Sequence, residues 1–174
     1  MINGGMRALT RDWTRSCRRL AKGTTGLLAA ACLAGALGGC SFLGMSGEKA
    51  KWSQVTLSAS DEVNNNSAVA VDIVLVSDDA MLARIAEMPA SKWFAGRNDL
   101  VSTYPKNLRY RSWEIVPGQR VEVSGDDFSG PRVAGAFVFA NYEGPGAHRV
   151  RIEHFSGHIV VQLEGNNFSI LDAR

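Results

Sequence analysis

Beyond Cys40 the 174-residue chain contains no cysteine. A disulfide, a thiolate metal site and a cysteine nucleophile are therefore excluded from residues 41–174. Long hydrophobic runs are missing too: the longest, GLLAAACLAGAL at 26–37, falls short of the ~20 apolar residues a membrane-spanning helix needs. Positive charge is scarce once the first segment is set aside. The formal net charge is +2, but residues 1–39 hold six basic residues (Arg7, Arg11, Arg15, Arg18, Arg19, Lys22) against one acid, Asp12. That leaves 13 basic and 16 acidic residues, a net charge of −3, on residues 40–174. Nucleic-acid binding loses its compositional support. The full 174 residues are 45% hydrophobic and 21% charged, the balance of one ordinary globular domain.

The basic stretch at 1–22, the apolar run at 26–37 and the small residues before Cys40 follow the order of an export signal. Leu37-Gly38-Gly39-Cys40 resembles the lipobox of bacterial lipoproteins. That resemblance implies a signal peptide over 1–39, cleavage before Cys40, a diacylglycerol on its sulfur and an acylated new amino terminus. An uncleaved anchor with an incidental cysteine is the competing reading; the small residues at the cut and the lack of a second apolar run argue against it. Ser41, in place of Asp, implies the outer membrane by the same resemblance. Residues 40–51 then form a lipidated tether with a coil reach of roughly 18 Å, and residues 52–174 form the domain.

Within that domain the pattern is mostly β. Residues 52–59 alternate, with Val55, Leu57 and Ala59 on one face, and AVAVDIVLV at 68–76 is dense in β-branched residues. Between them lies a polar loop, Asp61-Glu62-Val63-Asn64-Asn65-Asn66-Ser67. Ser77 is a suitable N-cap for a helix carrying Met81, Leu82, Ile85 and Met88 on one face. Pro89 ends or kinks that helix, and a second over 90–103 carries Trp93, Phe94 and Leu100. Strands follow at 108–116, 120–123, 132–142 and 148–153, then a hairpin over 158–171. About eight short strands around one helical insertion predict a β-sandwich, not a parallel βαβ sheet.

Reactive constellations are hard to find. His148, His154 and His158 could cluster on adjacent strands, but Glu153 and Glu164 complete no metal-ligand spacing. The acidic stretch Ser124–Gly130 lacks the alternating ligand spacing of a calcium loop. No nucleophile elbow, paired-carboxylate motif or phosphate loop is present. Trp93 and Phe94 are expected to pack against the sandwich. The expectation is a non-enzymatic protein without metal or cofactor, apart from the lipid on Cys40.

The stretches AVAVDIVLV (68–76), SKWF (91–94), WEIVPGQRVEV (113–123), AGAFVFANY (134–142) and HIVVQLEGNNFSI (158–170), following a lipobox, resemble the outer-membrane lipoproteins of type VI secretion systems, the TssJ or SciN family. The resemblance implies a transthyretin-like β-sandwich with its helical insertion between the second and third strands. It also implies a lipid-anchored position facing the periplasm, and docking onto the periplasmic domain of the IcmF-like inner-membrane subunit, TssM. The docking element in that family is the loop between the first two strands. Here that loop is Asp61, Glu62, Val63, Asn64, Asn65, Asn66 and Ser67. The alternative is an unrelated periplasmic β-sandwich lipoprotein that binds a ligand or envelope polymer.

Overall fold

Strand alternation decides which side chains meet between the sheets. The computed structural model describes residues 47–173, and the signal peptide and Cys40 lie outside them. Among the described residues eight strands occur: β1 (Lys51–Ala59), β2 (Val69–Val76), β3 (Leu108–Ile115), β4 (Arg120–Ser124), β5 (Gly135–Ala140), β6 (Arg149–Ile152), β7 (Ser156–Glu164) and β8 (Asn167–Ala173). They form two four-stranded sheets, ordered β4-β1-β7-β8 and β3-β2-β5-β6. The expected β-sandwich is what the chain adopts. One pairing departs from an all-antiparallel scheme, because β1 and β7 run parallel, with Val55 opposite Ile159 and Leu57 opposite Val161.

The inter-sheet core takes Val55 and Leu57 from β1, Val69, Val71, Ile73 and Leu75 from β2, and Ile159, Val161 and Leu163 from β7. Fully burying one such side chain contributes about 1.5–3 kcal/mol. The other face of β2 is buried as well. Val74 and Val76, with Phe137 and Phe139 of β5, lie beneath the helices α1 (Asp79–Ala86) and α2 (Ala90–Thr103). Burial on both faces accounts for the apolar residues on either side of Asp72 in the run at 68–76. Trp93 of α2 is fully buried and stacks on Phe139 with ring centroids 5.2 Å apart.

A single buried carboxylate latches this helical layer down. Asp72, in the middle of β2, is fully enclosed. Its Oδ2 accepts from Trp93 Nε1 at 2.8 Å and from Arg97 Nη1 at 2.5 Å, and its Oδ1 accepts from Ser112 Oγ at 2.5 Å. The guanidinium of Arg97 also lies over the rings of Phe94 (4.8 Å) and Tyr110 (5.3 Å).

Several boundaries move. Asp78, rather than Ser77, caps α1, its carboxylate accepting from Met81 N at 2.9 Å. Asn107 bonds to the other carboxylate oxygen, and these contacts hold the Asp78 carboxyl below the usual carboxylate range. Pro89 separates the two helices by capping α2 in an extended conformation. The strand expected over 132–142 is only 135–140, because Val133 turns aside to pair with Glu48. That bridge also ties down part of the expected tether: Ala50 is buried and Lys51 N donates to Phe155 O at 2.7 Å. Residues 48–51 thus belong to the domain.

Candidate functional site

Strand directions sort the loops onto two ends. β1 starts where the chain enters the domain and runs about 30 Å, at ~3.3 Å per residue, to the loop at 60–68. The β3–β4 turn, the β5–β6 loop and the β7–β8 turn share that far end, as the pairings Ser58 with Arg120, Val71 with Ala140 and Glu164 with Asn167 require. The candidate docking loop therefore forms part of a tip opposite the point of entry.

The loop is a tight fitting, not a slack one. Ser60 N donates to Leu163 O at 2.9 Å, while Ser60 O accepts from Val63 N and from Gly118 N, each at 3.2 Å. Val63–Asn66 form one short helical turn in which Asn64, Asn65 and Asn66 have φ of 47°, 56° and 60°. Asparagine tolerates this left-handed region better than other residues with a side chain beyond Cβ, so three in succession supply the conformation. Asn64 then clamps three neighbours. Its N donates to Gly165 O at 2.6 Å, its Nδ2 to Ala68 O at 2.9 Å, and its Oδ1 accepts from Glu143 N at 2.8 Å.

This geometry corrects part of the expected contact set. Val63 is fully buried as an end plug of the inter-sheet core, and Asn64 is 2% exposed. Neither can offer its side chain to another molecule. Asp61, Glu62, Asn65 and Asn66 are exposed and Ser67 is half-buried. Sequence reasoning missed their neighbours at the tip: Val116, 49% exposed beside the Pro117-Gly118 turn, and the exposed carboxylates Glu143 and Glu164. Gly118 (φ +70°) sits against Asp61, where a β-carbon would come 2.6 Å from Oδ1. Beneath the tip, Tyr142 donates its hydroxyl to Asn167 O at 2.7 Å, and burial pushes its pKa up to about 12.

The remaining candidates disperse. His148 lies at the tip, with φ of 42°, its ring against Tyr142 and Nε2 3.0 Å from Gly144 O. His158 pairs with Thr56 Oγ1 at 2.9 Å, and His154 Nε2 is 3.6 Å from Asp172. Among the described residues no group of three or more His, Cys, Asp or Glu side chains is placed to hold a metal ion. The acidic stretch at 124–130 closes the core instead. Phe128 is buried edge-on against Trp52 at 5.2 Å, and Gly125 packs on the Trp52 carbonyl so closely that a β-carbon would fall 1.5 Å from its oxygen.

No family profile matches the chain, and no curated protein does. Solved structures do resemble it. Lip of Serratia marcescens, a membrane-bound component of the type VI secretion system, aligns with TM-score 0.50 and 13% identity over 70% of this chain and 96% of its own. The type VI lipoprotein TssJ1 of Pseudomonas aeruginosa gives 0.52 and 15% over 73% of this chain and 98% of that one. A chain of a type VI membrane complex gives 0.54 and 17%, covering 68% and 95% respectively. At these identities the likeness is one of architecture: residues 47–173 have the fold of the type VI secretion lipoproteins.

Proposed function

We propose that this protein is a non-enzymatic, lipid-anchored lipoprotein of the TssJ type, a component of a type VI secretion membrane complex. Cys40 carries the lipid, in the outer membrane facing the periplasm. The tip docks the periplasmic domain of the IcmF-like inner-membrane subunit, TssM. The observation that carries this reading is the two-ended build of the sandwich. Chain arriving from Cys40 joins at one end, and β1 leads directly to a clamped, acidic loop at the other. A domain held by a lipid at its base and by a protein at its tip needs that layout.

Contact is assigned to the exposed residues Asp61, Glu62, Asn65 and Asn66, with Val116 and Glu143 beside them. Carboxylates at this density suit a basic partner surface, and reversing rim charges chiefly slows association.

Pull-down of the full chain with the IcmF-like periplasmic domain tests the assignment. The double substitution Asp61→Lys with Glu62→Lys is expected to weaken capture, and Lys106→Glu, just before β3 at the opposite end of the sandwich, to leave it unchanged. Full capture by the double variant removes the tip as the docking surface. Mass spectrometry of the mature amino-terminal peptide tests the anchor: an unmodified Cys40 overturns it.

A further inference from the structure

Where the chain enters the domain, Glu48, Lys49, Lys51, Arg132, Phe155 and Ser156 line an open cleft of about 370 Å³. That lies within the ~300–1,000 Å³ of small-molecule sites. Two separate segments build it. Glu48 and Val133 exchange backbone bonds of 3.0 and 2.8 Å, Arg132 Nη1 donates to Gly47 O at 2.7 Å, and Lys51 N donates to Phe155 O. The fold thus brings three cations together with a single carboxylate. Neither lysine forms an ion pair with a described residue, while the nearby acids Glu153 and Asp172 lie against Arg151 (4.0 Å) and His154 (3.6 Å). Phe155, stacked on Trp52 at 5.9 Å, adds an apolar wall.

We propose that this cleft takes the phosphate of an anionic phospholipid headgroup in the leaflet that holds Cys40, so that the domain stands on the membrane with its tip outward. The proposal rests on the reading of Cys40 as the lipidated residue. A body of net charge −3 is repelled by an anionic surface as a whole. Cations gathered at the point of entry reverse that repulsion locally. Seven peptide steps separate Cys40 from Gly47, a span of at most ~25 Å at ~3.6 Å each, which keeps the cleft near the headgroups. Screening limits the attraction to roughly 8 Å in physiological salt, so it orients an already tethered domain instead of recruiting it. Free phosphate presents the same chemistry; the apolar wall and the short stretch of chain between Cys40 and Gly47 favour the lipid.

The full chain, expressed with its leader and purified from membranes, is reconstituted into phosphatidylcholine vesicles with or without phosphatidylglycerol. A water-soluble acetylating reagent then labels lysines, and peptide mass spectrometry compares Lys49 and Lys51 with exposed Lys92, which lies near the tip end of α2. Phosphatidylglycerol is expected to slow labelling of Lys49 and Lys51 several-fold relative to Lys92. High salt or Arg132→Glu is expected to reverse much of that protection. Equal labelling in the two lipids overturns the proposal, as does equal protection by inorganic phosphate over phosphatidylcholine, which marks a small-anion site. The Cys40 peptide is weighed in the same digest. Lipidated Cys40 with unprotected lysines overturns this inference alone, whereas Cys40 without lipid overturns the anchoring reading and this one with it.

Discussion

Trp93 and Asp72, 21 positions apart in sequence, meet through an indole N–H to carboxylate bond of 2.8 Å that is sealed from water. Arg97 and Ser112 complete the carboxylate's shell, so one acid in β2 binds α2 and β3 to the same spot. Asp72→Ala leaves three donors facing an apolar gap. Because Arg97 is a quarter exposed, the loss is expected at the low end for a broken buried pair, about 3 kcal/mol. Trp93→Phe removes one donor while the carboxylate keeps two, and is expected to cost about 1–2 kcal/mol. Urea unfolding of both variants measures the difference.

Asp78 gives the acid limb of stability a specific component. Its folded pKa lies below the unfolded value, chiefly through the Met81 N–H and then Asn107. The stabilisation is therefore present above the unfolded carboxylate pKa, ~3.9, and is lost as pH falls through the folded one. Asp78→Ala is expected to cost about 1 kcal/mol near neutrality, as lost N-caps do. It is also expected to flatten the decline of stability below pH ~4. Thermal melts across pH 2–7, in steps of about one unit, compare the two slopes.

At the alkaline end the sign is opposite. Tyr142 is raised from 10.0 to about 12, so the folded state holds its proton more tightly than the unfolded chain. That contribution is complete below pH ~10 and disappears as pH rises through about 12. Ultraviolet titration is expected to show one of the three tyrosines ionising late, and Tyr142→Phe to abolish that late step.

In the tip loop, neighbouring asparagines are expected to behave differently. Asn64→Ala strands the Glu143 N–H and the Ala68 carbonyl and puts a β-carbon residue without asparagine's tolerance at φ 47°. A loss of about 2–3 kcal/mol is expected. Asn65→Gly keeps the left-handed turn and removes only an exposed side chain, so stability is expected to stay within about 0.5 kcal/mol. Chemical denaturation separates them.

Gly125→Ala tests close approach instead of backbone strain. The added methyl would fall on the Trp52 carbonyl, and either β1 or the turn must move. A loss of about 3 kcal/mol is expected. Trp52 fluorescence is expected to shift with it, through the ring's contacts with Phe128 and Phe155.

Much of the strand order was legible because local pattern and tertiary burial agree. The run at 68–76 is apolar at every position but Asp72 because both of its faces are covered. The 3.6-residue spacing of Met81 and Ile85 marks the face of α1 that is buried. The Asp72 latch was not legible, since its partners lie 21, 25 and 40 positions away and no short-range spacing connects them. Nor was the parallel pairing of β1 with β7, which alternation cannot distinguish from an antiparallel one. The loop at 61–67 was legible as a loop, but its polarity hid the burial of Val63 and Asn64. Three consecutive asparagines were the available signal, one for left-handed backbone and not for solvent contact.

Because β1 links the two ends of the domain and is flanked by β4 and β7, a pull between base and tip acts lengthwise along that strand. The covalent backbone of β1, already extended, takes that load directly, while the ladders on both sides hold it in place. A domain gripped at its base and at the tip loop would therefore yield late under tension, because the strand that joins the two grips has little slack to give.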